Sequence, residues 1–440
     1  MRLLRPVCFF LLASFLSMAC QRETIIPEQG TPVERPSIIP AHIDSLPCVY
    51  IHTPKSIVSK DVWVDESIIT IEVRVNGKDT VVYQADSLRI KGRGNSTWTA
   101  YPKKPYALKL NNKANLIGTG KTSRWVLLAN WGDRTLLRNQ VAFEAARRTS
   151  LEWTPSGIFV KLYLNDPDDE AQGYMYQGVY WLGEKIRVEG SHFKADYLYS
   201  YDMSDAGEED YSAYCHYFTA GEWFEGEVPV ELKYPDKDDF PDYYWISYLK
   251  DTSFKALQEV EDAIYYSGTG DWRNKVDLNT FCDWYIVNEL LHNTEVRHPK
   301  SCYFYIRDGV MYAGPVWDFD FGTFSLAEEV PRLRIKSALY YFQLFPQPEF
   351  RNRLKARWKI LKPRFESLVD YIDEQADWIR NSEKVNHEMW PCYPNPMADP
   401  DMDNMVNMDE QMTFQEAVDR MKRALLYRVD ILDEQFSLLD

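Results

Sequence analysis

The sequence predicts an α+β protein of two lobes, a strand-rich first half and a helix-rich second half with a cleft between them. Three observations predict it. Between about residues 47 and 190, short segments alternate apolar and polar residues and are separated by turn signals. After about residue 190 the apolar residues recur at helical spacing instead. The 440 residues, 45% hydrophobic and 15% aromatic with no long low-complexity tract, are also enough for a large core.

The chain divides at its N-terminus first. Arg2 and Arg5 precede "VCFFLLASFLSMA", an apolar run too short to span a membrane, and Cys20 ends it. This resembles a bacterial lipoprotein signal over residues 1–20, with Cys20 as the lipidated residue, although Ser17 stands where such signals usually carry Leu. An ordinary secretory signal cut nearby is the alternative. Residues 21–46 are polar and Pro-rich and suit a tether. The expected location is the bacterial cell envelope, with the lipid holding the protein on the membrane at the periplasmic side or the cell surface. The net charge of −16 argues against a nucleic-acid partner, and no basic stripe appears along the chain.

The first lobe is expected over 47–190. "PCVYIHT", "ITIEVRVNG" and "DTVVYQ" read as strands, with Asn76-Gly77 as a hairpin turn. Two more strands, near 88–91 and 105–110, bracket the loop "KGRGNSTW". "SRWVLLANWGDRTLLRNQVAFEAARR" reads as a strand, a turn and a helix over 135–148. Leu137, Val141 and Ala145 share one face of that helix, and Asp133 is its expected N-cap. "GIFVKLYLND" and "MYQGVYWLGEKIRV" are the last strands of this lobe.

The second lobe is expected over 191–440. It contains a helix at 277–292, a helix face behind Pro363 that includes Phe365, Leu368, Ile372, Ala376 and Ile379, and a final helix opened by a Thr413/Glu416 capping box. Five cysteines follow Cys20 without a CxxC pair, so neither a zinc site nor a disulfide framework is indicated, though one or two bridges are compatible with the count.

Chemistry concentrates around "NTEVRHPKSCYFYIRDGVMYAGPVWDFDFG". Asp308-Gly309 is a strong hairpin turn, and counting back from it places Asp318 roughly opposite position 299. The Glu295 loop and the Asp318/Asp320 loop therefore meet at one end of a hairpin. Two carboxylates in an apolar stretch need compensation, by a divalent cation or by an Arg or Lys. The alternative reading is that Asp318 caps a turn or pairs with Arg297. The order helix, acidic loop, hairpin and metal-type Asp loop is that of a protein-kinase catalytic lobe. In the first lobe, "KGRGNSTW" can curl backbone N–H groups around a phosphate, helped by Arg93 and Ser96. Lys109 is a candidate phosphate lysine, whereas Lys103 and Lys104 read as snorkelling surface lysines. Glu144 is either the partner of Lys109 or a solvated helix charge. Glu184 stands in the expected connection between lobes.

Taken together, "RGNSTW", "KKPYALKL", "WVLLANWGDRTLLRNQVAFEAAR", "YQGVYWLGEKI", "NTE" and "GPVWDFDFG" resemble the spore coat protein H (CotH) kinase family over roughly residues 86–325. The resemblance implies an atypical protein-kinase-like fold that binds ATP with Mg2+ or Mn2+ and phosphorylates a protein acceptor. By position it puts Arg93, Asn95, Ser96 and Lys109 in the nucleotide site, with Glu144 and Glu184 as supporting groups. Asp318 matches the metal-binding aspartate, with Asp320 beside it. The family's catalytic Asp is Glu295 here, one residue is added after it, and Ser301 stands where the family has a metal-binding Asn. The expectation is a monomeric, lipid-anchored phosphotransferase. The rival readings are a non-catalytic surface protein that binds glycan or protein, and a metal-dependent enzyme of another type.

Overall fold

The computed structural model describes residues 43, 45–118, 120–189, 192–203, 212–215, 219–220, 224–225, 228–236, 240–265, 272–324, 331–392, 409 and 411–439. Cys20 and the signal and most of the tether expected before residue 46 lie outside these residues.

Strands fill the first half where alternation predicted them: β1 (Cys48–His52), β2 (Val64–Val75), β3 (Lys78–Gly92), β4 (Tyr106–Ala114), β5 (Thr122–Leu128), β6 (Gly157–Asn165) and β7 (Tyr174–Glu184). Asn76 and Gly77, at φ of 51° and 75°, make the tight turn between β2 and β3. A short helix α1 (Ser96–Thr99) follows the glycine-rich loop, and α2 (Arg138–Arg147) lies between β5 and β6.

The arrangement of these strands corrects the two-lobed, kinase-like fold. They close into a barrel in the order β1-β2-β3-β4-β5-β7-β6, sealed by parallel pairing of β1 with β6. Alternate residues fill its interior, among them Val49, Ile69, Ile71, Ile90, Leu108, Trp125, Leu162 and Leu182. Residues 35–440 form one compact unit. The physical reason is that part of the barrel wall is buried on both sides. Val126, Leu128, Phe159, Val179 and Trp181 point outward into a second core shared with the helices. A wall covered on both faces leaves no gap at which a separate lobe would begin.

The second half is mixed rather than simply helical. Its strands are β8 (Tyr197–Tyr201), β9 (Ser212–Cys215), β10 (Thr219–Ala220), β11 (Phe224–Glu225), β12 (Val228–Tyr234), β13 (Cys302–Arg307) and β14 (Val310–Ala313). Five of them make a sheet ordered β14-β13-β8-β12-β9. The helices are α3 (Asp242–Tyr248), α4 (Phe254–Tyr265), α5 (Leu278–Leu290), α6 (Tyr341–Leu344), α7 (Pro348–Glu366), α8 (Leu368–Met389) and α9 (Phe414–Ser437). Asp277 caps α5 through Thr280 N, and the Thr413/Glu416 capping box opens α9 as expected. Pro363 does not start a helix. It lies inside α7, and the break falls at Ser367.

One bridge ties barrel to helices directly. Trp181 Nε1 on β7 donates to Gln140 Oε1 on α2 at 2.6 Å, and Gln140 Nε2 donates to Tyr371 Oη on α8 at 2.6 Å. Cys48, Cys282 and Cys302 carry free thiols. Among the described residues, no helix is long and apolar enough to cross a membrane.

Candidate active site

The hairpin forms as the turn residues dictate. Asp308 and Gly309 take φ of 52° and 72°, and β13 pairs with β14 so that Phe304 faces Ala313 and Arg307 faces Val310. Continuing that register past the strand ends sets Asp318 opposite Pro299. The Glu295 turn and the Asp318/Asp320 loop consequently open into one cavity of about 430 Å3. Ser301 Oγ donates to Asp318 Oδ2 at 3.1 Å, and Ser301 N donates to Asp202 Oδ2 at 3.1 Å. Ser301 therefore links Asp318 to Asp202.

The glycine-rich loop forms the facing wall. Arg93, Asn95 and Ser96 all line the same cavity. Gly94 has a φ of +82°, a conformation that only glycine adopts at little cost. A Cβ on Gly92 would meet the Trp98 ring at 2.4 Å, so the loop also requires glycine there. The N–H groups of Gly92 and Arg93 already donate to Ser59 O and Pro105 O. Any backbone cradle for a phosphate is thus confined to residues 94–97. Arg93 lies over the Trp317 ring, 5.5 Å from its centroid. Burial in the cavity lowers its pKa, and the charges of Asp318 and Asp320 partly offset that.

The Asp loop is fixed from behind by α2. Phe319 N donates to Asn139 Oδ1 at 2.7 Å, and Arg138 Nε donates to Thr323 O at 2.9 Å. Arg138 is fully buried between Asp133 and Asp409, bonding Asp409 Oδ2 at 2.6 Å. Asp133 is not the N-cap of α2, a place taken by Leu137. Its carboxylate still accepts from the Arg138 N–H at 2.8 Å, so it satisfies an orphan donor of the first turn.

Three expected site residues lie elsewhere. Lys109 is half-buried on β4 and does not line the cavity. Glu144 pairs with Arg147 at 3.1 Å and Arg148 at 2.9 Å on its own helix rather than with Lys109. Glu184, wholly buried at the end of β7, faces His192 Nε2 at 3.2 Å and accepts from Ser156 N. For Lys109 the reason is the barrel: its neighbours Leu108 and Leu110 fill the interior, so Lys109 belongs to the outer face.

The sequence reading missed Lys103, Asn139, Asp202 and Lys300, which line the cavity. Lys103 is fully buried, not a surface lysine. Its ammonium donates to Ala129 O and Asn386 Oδ1 at 2.9 Å each and to Val179 O, and it lies 4.4 Å from the Tyr180 ring centroid. Burial lowers its pKa well below the usual lysine range. The aromatic setting of "TAYPKKPYAL" was the available signal.

Residues 88–432 match the family model described as CotH kinase protein. The chain belongs to the CotH kinase family. A comparison with curated proteins found no match. The match extends well beyond the motifs, through α5 and the hairpin and into α9.

In this member of the family, electrostatics single out the carboxylates. Burial raises Glu295 well above the usual carboxylate range, with Asp318 adding to it and Lys300, 3.9 Å away, opposing it. Burial and then Asp318 push Asp320 up to about 8. Among the described residues no group of three or more His, Cys, Asp or Glu is placed to hold a metal. Two aspartates with a hydroxyl suit Mg2+, which commonly takes one or two carboxylates and completes its shell with phosphate oxygens and water.

The sign of the pH effect follows. The folded chain holds a proton on Asp320 that the unfolded chain has lost between about pH 4 and pH 8. The metal-free cleft is therefore most favourable below that window, and its contribution to stability falls as pH rises through it. A divalent cation held at Asp320 would displace that proton, so its affinity would rise with pH by up to about tenfold per unit. Thermal unfolding with Mn2+ at pH 6 and pH 8 is expected to show the larger metal-induced shift at pH 8. Equal shifts would remove Asp320 from the metal site.

Proposed function

We propose that this CotH kinase transfers a phosphoryl group from a metal-bound nucleotide, ATP, to a hydroxyl of a protein acceptor. The observation that carries the reading is the meeting of Glu295, Asp318, Asp320 and Arg93 in one cavity, with Asn95 and Ser96 on the facing wall. Phosphoryl transfer asks a protein mainly to position groups and neutralise charge. Asp318 and Asp320 would hold Mg2+ or Mn2+, which when bound draws charge from the phosphate oxygens. Arg93 and Lys300 supply positive charge from the cavity wall. Asn95 and Ser96 offer hydrogen bonds to phosphate oxygens. Glu295 orients the acceptor hydroxyl and takes its proton. The test is the purified chain with ATP, with and without Mn2+. A thermal shift that needs both, with phosphate appearing on protein, supports the reading, and no metal-dependent shift at millimolar ATP overturns it.

We also propose, from the N-terminal signal pattern, that the protein sits at the cell envelope through lipid on Cys20. A single acyl chain binds a membrane only marginally, so stable anchoring takes more than one chain. Cys20→Ser is expected to move the protein from the detergent phase to the soluble fraction. Unchanged partitioning would end the lipoprotein assignment.

A further inference from the structure

Outside the cavity, the barrel carries a row of cations that the transfer chemistry does not use. Leu88 and Ile90 fill the barrel interior, so Arg89 and Lys91 on β3 belong to its outer face. The register sets Arg89 directly opposite Lys109, and Lys109 directly opposite Arg124. Three cations thus stand side by side across β3, β4 and β5. Lys185 follows β7, with its backbone N–H donating to Arg124 O at 3.3 Å. Like charges placed opposite one another weaken a sheet. A barrel built for stability alone has no reason to collect them.

The row is also ordered. Trp63 lies among these side chains, with Arg89, Lys91 and Arg124 at 5.4, 5.0 and 5.9 Å from its ring centroid. One aromatic ring therefore pre-positions three cations. Asp65 accepts from Arg89, and Asp61 faces Lys91. The mutual repulsion nevertheless registers. Lys185 has exposed surface, but the protein crowded around it, and then Lys233, Arg93, Arg124 and Lys91, draw its ammonium down to about 8. Arg93, two residues beyond Lys91, lines the cavity, so the row runs to the lip of the active site.

We propose that this cross-strand row is a docking track for an acidic segment of the acceptor polypeptide, which guides the acceptor hydroxyl toward the cavity. The guidance rests on the phosphoryl-transfer reading, whereas the docking itself does not. The net charge of −16 disfavours an extended polyanion such as nucleic acid or an anionic bilayer, which meets the field of the whole molecule. A short acidic segment meets only the local field, within about one Debye length of roughly 8–10 Å. Trp63 is half-buried with three cations around its ring rather than projecting as an apolar anchor, which also disfavours a membrane.

The test uses the full chain and a fluorescent peptide of Glu residues around one Ser, with a Gln-for-Glu peptide as control. The Glu peptide is expected to bind, the Gln peptide not, and affinity should fall on raising salt from about 50 to 200 mM. Lys91→Glu with Arg124→Glu should weaken binding by about tenfold or more, while the Mn2+–ATP thermal shift persists. Lys185→Glu, at an exposed position, should weaken it in the same direction and guards against misfolding of the double variant. Equal binding of the two peptides, or unchanged affinity in the variants, overturns the proposal. So does tighter binding of anionic vesicles or of RNA that the same variants abolish, since it would assign the row to another partner. Peptide docking without any metal–nucleotide effect would leave the track standing and overturn only the transfer reading.

Discussion

Asp318→Asn is expected to abolish Mn2+-dependent stabilisation by ATP while the chain stays folded. At a ligand concentration of 100 times Kd, bound ligand stabilises by about 2.7 kcal/mol, so the loss is easily measured. Asn is the right substitution for a structural reason. Asp318 sits at a φ of +69°, a region where Asn is among the few residues at ease. An Asn side chain can also still accept the Ser301 hydroxyl that reaches Asp318 Oδ2 at 3.1 Å. The change thus removes a charge and little else. Circular dichroism and the melting temperature without ligand should match wild type. If the variant keeps the full Mn2+–ATP shift, Asp318 is not a metal ligand and the carboxylate pair needs another explanation.

Glu295→Gln is expected to cut phosphate transfer by about 100- to 10,000-fold with nucleotide binding nearly unchanged. Glu295 lies almost wholly inside the cavity, with Lys300 3.9 Å away as a loose ion pair. An ion pair exposed at the surface would be worth under about 1 kcal/mol, and its loss would change activity only a few-fold, but Glu295 is buried. Burial and the neighbouring Asp318 raise the Glu295 pKa, so the acid limb of the pH–rate profile should lie above the usual carboxylate range. Metal on the Asp pair opposes this, and the limb should move down as Mn2+ is titrated. Glu295→Asp shortens the side chain by one CH2 group in an otherwise unchanged turn, and misplacement of about 1 Å costs on the order of 100-fold. Equal rates for wild type, Gln and Asp forms would leave this turn as scaffold.

What proved legible in the sequence is what local geometry controls. The Asp308-Gly309 turn set the register of one hairpin, and that register alone brought the Glu295 turn and the Asp318/Asp320 loop to one place. The Asn76-Gly77 turn and the Thr413/Glu416 box were readable for the same reason, since each depends on a few consecutive residues. Alternation located the barrel strands but not the barrel. Closure depends on β1 pairing with β6 across more than a hundred residues, and period-two patterning does not name a strand's partner.

The site residues divide along the same line. Arg93, Asn95 and Ser96 lie on one short loop, and the loop reaches the cavity as a unit. Lys109 is assigned by the barrel to a cationic row on the outer face, a stripe invisible along the chain because its members come from three strands. Lys103 shows the limit most directly. By itself "PKKP" specifies two cations with long apolar stems, which most often lie at a surface. What buries Lys103 is a set of acceptors supplied by Ala129, by Val179 and, from α8, by Asn386. The sequence determined that two acidic turns meet at a hairpin end. Only the tertiary structure decided which cations face them, because a buried charge stays where distant segments supply its partners.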